Sequence, residues 1–287
     1  MKEEVLPTNE LLIEKHIEYV QSLDQQKNTL SYHLTEHLRM NGIYWGLTVL
    51  HLLQKPEGLP KQEMIDWVMS CWDVHQGGFG PHPGHDPHLH STLSAIQILV
   101  MQDSLEILNR EKVIEYVLAR FKHQNGTFEG DCWGETDNRF TYCAIATLSL
   151  LNALENLDQP LIAKALASCQ NFDGGFGMIE GAESHAAYVW TAIAGLAILG
   201  RLELIQIDRL GWWLSERQLA NGGLNGRPEK LEDVCYVRMI EREKLARILV
   251  FAVEPTLNAL LVLVARKRGA SEPPEHLFEW STTEFEL

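Results

Sequence analysis

The hexapeptide FDGGFG, residues Phe172–Gly177, decides how this chain is read, because it has three counterparts. QGGFG stands at Gln76–Gly80, QNGTFEG at Gln124–Gly130 and ANGGL at Ala220–Leu224. With Gly78, Thr127, Gly175 and Gly223 taken as equivalent, the steps are 49, 48 and 48 residues. A spacing so regular marks a repeat architecture.

Working outward, each turn sits between two helical patterns. The segments leading in are Lys61–Cys71 (Ile65, Val68, Met69 and Trp72 on one face), Glu111–Phe121 and Pro160–Cys169. Their apolar residues recur at the i, i+3, i+4, i+7 spacing of amphipathic helices. Pro60 and Pro160 suit a first helical turn. The segments leading out, Thr92–Leu99, Thr141–Leu151 and Val189–Leu199, are apolar nearly all round, as helices packed on both sides should be. Gly42–Leu53 reads as an earlier inner helix, with Asn9–Leu23 as its lead-in. The unit is an outer helix, a glycine turn, a polar stretch and an inner helix, which predicts an all-α fold of repeated hairpins. Periodicity alone leaves open whether such hairpins form a solenoid or close into a ring, an α-α barrel around a central cavity. The polar stretches Pro81–His90, Asp131–Arg139, Ile179–His185 and Asn225–Asp233 fall at equivalent places, so function is expected among them.

At 287 residues the chain is long enough to bury a large core, and its hydrophobic content of 45% is that of a soluble globular protein. A formal charge of −15 with no basic stripe argues against nucleic-acid binding. No stretch has the length and purity of a transmembrane helix: Ile248–Ala265 is broken by Glu254, Pro255 and Asn258. The N-terminal residues lack a basic-then-apolar signal layout. Five cysteines in so long a chain form no disulfide framework, which favours a reducing compartment, and a cytoplasmic location is expected.

Candidate chemistry concentrates in Asn221–Tyr236, NGGLNGRPEKLEDVCY. Arg227 and Lys230 beside Gly226 suit a diphosphate, through charge-assisted bonds of roughly 1.5–3 kcal/mol each. Solvated loop charges are the alternative. Asp233 and Cys235, two apart at a helix start, are possible zinc ligands. From the spacing alone, an N-capping Asp followed by a small buried Cys is the favoured reading. His185 falls one repeat before Asp233 and is a candidate anion donor. The histidines of PHPGHDPHLH (Pro81–His90) sit among prolines and read as a rim loop. Tyr44, Trp45, Trp133 and Trp190 read as core, or as the lining of a slot for a long apolar chain.

GIYWGLTVL, QGGFG, GDCWGETDNRFTYCA (Gly130–Ala144), FDGGFG followed by ESH, and NGRPEKLEDVCY together resemble the β chains of type II protein prenyltransferases, the Rab-type geranylgeranyltransferases. The resemblance runs from near the N-terminus to Tyr236, defining residues 1–236 as toroid repeats and 237–287 as a divergent segment. It implies an α-α barrel whose aromatic funnel, including Trp45, holds geranylgeranyl diphosphate. It also implies an α subunit as partner, and a Rab escort protein that presents the C-terminal cysteines of a Rab GTPase for thioether formation. By the same resemblance His185, Arg227, Lys230 and Tyr236 bind diphosphate. Asp233 and Cys235 bind Zn2+ and, with Tyr236, form the catalytic group. A third zinc ligand, a histidine further along, has no counterpart in this sequence.

After Tyr236 the pattern changes. Ile240–Leu249 resembles the family's next outer helix, so one inner helix is skipped and the barrel is expected to be incomplete at its C-terminus. Val250–Val264 is expected to pack as a substitute helix, and His276 stands in a context unlike the family's ligand motif. Weakened zinc binding and low or absent turnover are therefore expected. Two further readings stand beside the enzyme: a β-like scaffold that binds lipid or an α subunit without turnover, and a terpene cyclase. The second lacks the Asp-rich protonating motif which that chemistry needs.

Overall fold

The computed structural model describes residues 11–25 and 27–239. Two compact units are present. The first runs to Ser104 and holds α1 (Ile13–Gln25), α2 (Leu30–Leu34), α3 (Arg39–Leu52), α4 (Lys61–Ser70) and α5 (Leu89–Met101). The second starts at Leu105 and holds α6 (Arg110–Leu118), α7 (Asn138–Leu150), α8 (Gln159–Ser168), α9 (Ala186–Ile198) and α10 (Ile207–Ser215). The expected alternation of outer and inner helices is present in both. Inner α3 packs on α5 in the first unit, and α7 packs on α9 in the second.

Of the inner helices, α5, α7 and α9 are buried over most of their circumference, as their sequences demand, whereas α3 leaves Trp45, Val49 and Leu52 exposed. Every residue of α5 from Ser91 to Val100 is buried. Each buried Leu or Ile among them contributes about 1.5–3 kcal/mol relative to an exposed one. The outer helices bury one stripe; α10 sinks Leu210, Trp213 and Leu214 and leaves Trp212 in solvent. α5, α7 and α9 each open three residues before the apolar pattern does, directly after a residue whose side chain caps the first turn. Pro60 is the residue before α4 rather than within it, whereas Pro160 does occupy the first turn of α8.

The glycine turns behave alike. Single antiparallel bridges close them at Trp72–Phe79, Gln170–Phe176 and Gln218–Leu224. The QNGT turn goes further: β1 (Phe121–Lys122) pairs with β2 (Thr127–Phe128), and α6 stops at Leu118 instead of reaching Phe121. Glycine is required where backbones meet. At Gly174, with φ of +94°, a Cβ would lie 2.2 Å from the Arg209 carbonyl oxygen.

Two backbone bonds recur with the repeat and position the loops. The residue that closes each polar loop donates to the turn's apolar residue: His88 to Phe79, His185 to Phe176, and Asp233 to Leu224, all at 3.0 Å. The first turn of an inner helix donates to the carbonyl just past the next glycine turn. These bonds are Met40 to Pro81 at 3.1 Å, Asn138 to Met178 at 2.9 Å and Ala186 to Gly226 at 2.8 Å. Each polar loop is thereby laid over the start of the preceding inner helix. The stretches Ile240–Leu249 and Val250–Val264, and His276, lie outside the described residues.

Candidate functional site

The second of those bonds assembles a polar cluster in the second unit. His185 precedes α9, and its Nδ1 accepts from the Ala187 N–H at 3.1 Å. Its position is shared: His88, Asp137 and Asp233 stand at steps of 49, 48 and 48 residues, and each accepts from the N–H two residues on. The 48-residue step pairs His185 with Asp233. His88 and Asp137 were legible from the same spacing.

The loop holding His185 is fixed from below by the FDGGFG turn. Asn171 donates to the Ala182 carbonyl at 2.6 Å and to Ser184 Oγ at 2.9 Å, while Ser184 donates to Asp173 Oδ1 at 2.8 Å. A Cβ on Gly175 would sit 2.5 Å from that of Ser184, so the turn and the loop approach only through glycine.

Over this loop lies the NGRP segment. Gly226 accepts from Ala186, and the Tyr236 ring fills the space a side chain at 226 would need, 2.4 Å from the notional Cβ. Tyr236 and His185 meet edge to face, ring centroids 5.7 Å apart. Arg227 lies close enough to depress the His185 pKa, and its Nη1 is paired with the Glu183 carboxylate. Asp233 and Cys235 follow at the start of a short 3-10 turn, Val234–Met239, where Asp233 Oδ1 accepts from the Cys235 N–H at 2.8 Å. Thus His185, Arg227, Tyr236, Asp233 and Cys235 come together. Lys230 is exposed and forms no ion pair among the described residues; its carbonyl accepts from Asn225 at 3.1 Å. Trp45 belongs to the first unit, 54% exposed on α3, where it lines a cavity of about 300 Å³ with Val20, Leu23, Leu38 and Trp67. Glu183 was not singled out in the sequence, although it lies within the quoted ESH.

The electrostatics make a set of donors. Burial first, then the Arg227 charge, lowers the pKa of His185 below its ordinary 6.5. With Nδ1 accepting from Ala187, the neutral ring carries its proton on Nε2 and can donate it to an anion. Burial raises the Tyr236 pKa, so the phenol also stays a donor. The thiol of Cys235 is raised chiefly by its hydrogen bond to Asp233, whose carboxylate is lowered by the Cys235 N–H. The remaining cysteines divide sharply. Cys71 and Cys143 are pushed to about 12 and Cys169 to about 11 by burial, whereas Cys132 and Cys235 are exposed. Exposed Cys235 does not fit the small buried cysteine of the alternative reading, although Asp233 does cap.

A carboxylate and a thiol side by side are suitable donors for zinc. A catalytic zinc takes three protein ligands, and the described residues near this pair supply two. They do not by themselves form a zinc centre.

The prenyltransferase alpha-alpha toroid domain matches residues 11–238, and the chain belongs to that family. Within it, the chain is 48% identical over 231 residues to the geranylgeranyl transferase type-2 subunit beta of Saccharomyces cerevisiae, covering 79% of this chain and 71% of that one. It is 44% identical over 251 residues to the protein of the same name from Candida albicans, covering 80% and 73%. The fold matches that of Candida albicans protein geranylgeranyltransferase-I complexed with GGPP, with a TM-score of 0.72, 22% identity, and coverage of 91% of this chain and 81% of the other. The expected α-α toroid and the resemblance to type II β chains are thereby met. Among the described residues no helix is long and apolar enough to cross a membrane.

Proposed function

We propose that this chain is the β subunit of a cytoplasmic protein geranylgeranyltransferase of the Rab type. Its substrates are geranylgeranyl diphosphate and the C-terminal cysteines of Rab GTPases, brought by an escort protein, and an α subunit is its partner. The observation that carries this reading is the convergence of His185, Arg227 and Tyr236 beside Asp233 and Cys235.

In the reaction a peptide thiolate attacks C1 of the isoprenoid, a C–S bond forms, and the C1–O bond breaks as diphosphate departs with the electron pair. The proton lost by the thiol passes to solvent. Charge grows on the departing oxygens, and fixed donors stabilise it most where they face that position before reaction. His185 Nε2–H and the Tyr236 hydroxyl donate without carrying charge, and Arg227 supplies the cation. Glu183 now occupies that guanidinium, so diphosphate binding exchanges one anionic partner for another. Lys230, free of ion pairs among the described residues, is available as a second cation. Zn2+ on Asp233 and Cys235, completed by a further ligand, would supply a thiolate at neutral pH.

The experiment is prenyl transfer by the chain purified with an α subunit, using geranylgeranyl diphosphate, escort protein and a Rab substrate. Thioether product that falls on Arg227→Ala supports the proposal. Absence of both product and diphosphate-dependent lipid binding would overturn it. The two-donor set at Asp233 and Cys235 favours a second reading, a scaffold that binds lipid or an α subunit without turnover. Lipid binding with no product would select it.

A further inference from the structure

A second cluster lies in the first unit, outside everything used above. It starts from His82-Pro83-Gly84-His85. Proline fixes its own φ, Gly84 adopts φ of +83°, and the His85 N–H donates to the His82 carbonyl at 3.1 Å. Such a proline-glycine turn folds its end residues onto one another. The two imidazoles consequently stand with ring centroids 5.6 Å apart. The loop is anchored: Pro81 accepts from Met40 at the start of α3, and a Cβ on Gly80 would lie 2.5 Å from the His85 carbonyl oxygen.

A carboxylate meets this turn from elsewhere in the chain. Glu36 opens the short helical turn Glu36–Leu38 that leads into α3. Its Oε2 is 3.6 Å from His85 Nε2, and its Oε1 is held 3.2 Å from His33 Nδ1. One donor atom from each of Glu36, His82 and His85 lies within 4.8 Å of the other two. No other group of three His, Cys, Asp or Glu side chains meets that condition among the described residues.

We infer that Glu36, His82 and His85 bind one divalent cation of the zinc class, which clasps the loop after the first glycine turn to the start of α3. Two imidazole nitrogens and one carboxylate oxygen suit zinc, cobalt or nickel rather than magnesium or calcium. Donors about 2.0–2.2 Å from a tetrahedral zinc stand roughly 3.3–3.5 Å from one another. The His85–Glu36 separation is already near that value, so His82 makes the main adjustment. His33, occupying the other Glu36 oxygen, orients the carboxylate as an outer partner does at a metal centre. Glu36 is kept ionised by that same bond. Solvent reaches His85, leaving room for water as the fourth ligand.

The test uses the full chain carrying Cys235→Ser, so that the thiol pair cannot take the ion. Zn2+ is titrated by calorimetry, and Co2+ is followed by its visible spectrum. Expected are one saturable equivalent, a higher melting temperature with zinc, and cobalt bands without near-ultraviolet thiolate-to-cobalt absorption. His82→Ala and His85→Ala should each weaken binding by roughly tenfold or more through the loss of a ligand. Glu36→Gln keeps the shape of the side chain and should weaken it likewise, which guards against misfolding of the alanine variants. Failure of Cys235→Ser to bind zinc, or undiminished binding in all three cluster variants, would overturn the inference.

Discussion

Gly226 is a lever on the candidate site that deletes none of its polar groups. The glycine carbonyl accepts from Ala186 while the Tyr236 ring occupies the position of the missing side chain. In Gly226→Ala the new Cβ would lie 2.4 Å from Tyr236 Cζ and 2.6 Å from its hydroxyl oxygen. Atoms cannot approach so closely, and the end of an aromatic ring moves more easily than backbone. The substitution should therefore displace Tyr236 and spare the helices. If the hydroxyl donates to diphosphate, its loss removes one hydrogen bond to a charged group, about 1.5–3 kcal/mol, or roughly 10- to 150-fold in affinity. The assay is binding of geranylgeranyl diphosphate by a fluorescent lipid analogue, with circular dichroism as the control for folding. Tyr236→Phe should lose a similar factor, and the double variant little more than either, because both delete one interaction. Full affinity in Gly226→Ala and Tyr236→Phe, with unchanged circular dichroism, would refute the assignment of Tyr236 to the anion.

Glu183→Gln should release Arg227 and raise diphosphate affinity several-fold; lower affinity in a lipid-binding titration would show instead that the ion pair holds Arg227 in place. His185 has a folded pKa below its ordinary 6.5, so the unfolded chain takes up its proton first as pH falls. Its contribution to stability is complete above pH 6.5 and declines as pH drops through the lowered value, a slope in the urea midpoint that His185→Asn, which retains the cap, should flatten. Buried Asn138 donates to the Gly177 and Tyr188 carbonyls at 2.9 and 3.2 Å and accepts from Thr191 at 2.7 Å. Asn138→Ala should destabilise the chain by about 2–4 kcal/mol in urea unfolding, since several buried partners lose their bonds together.

Much of this was legible before any coordinates, and the limits have physical causes. The glycine period located the hairpins because backbone crossings such as Gly174 on Arg209 admit no other residue. Apolar periodicity found the inner helices but placed each start one turn late, since a first turn bonded by its cap needs no apolar face. The cap is legible at Asp233, in whose register His185 falls, and the same register also holds the caps His88 and Asp137. Partners supplied by side-chain reach were not legible: Glu183 is 44 residues from Arg227 in sequence. Glu36 is likewise brought to His85 by the bond between Met40 and Pro81 rather than by local pattern. Lys230 shows the converse, a residue that both its charge and the resemblance single out but that the described contacts do not bring to the others.

The central claim is that His185, Arg227 and Tyr236 form one seat for the head group of the lipid. It is tested most directly by the ratio of affinities for geranylgeranyl diphosphate and geranylgeraniol, which share a tail and differ at the head. The parent chain should favour the diphosphate strongly, and Arg227→Ala with His185→Ala should collapse that preference while leaving the alcohol's affinity unchanged. An undiminished ratio in that double variant would contradict the account.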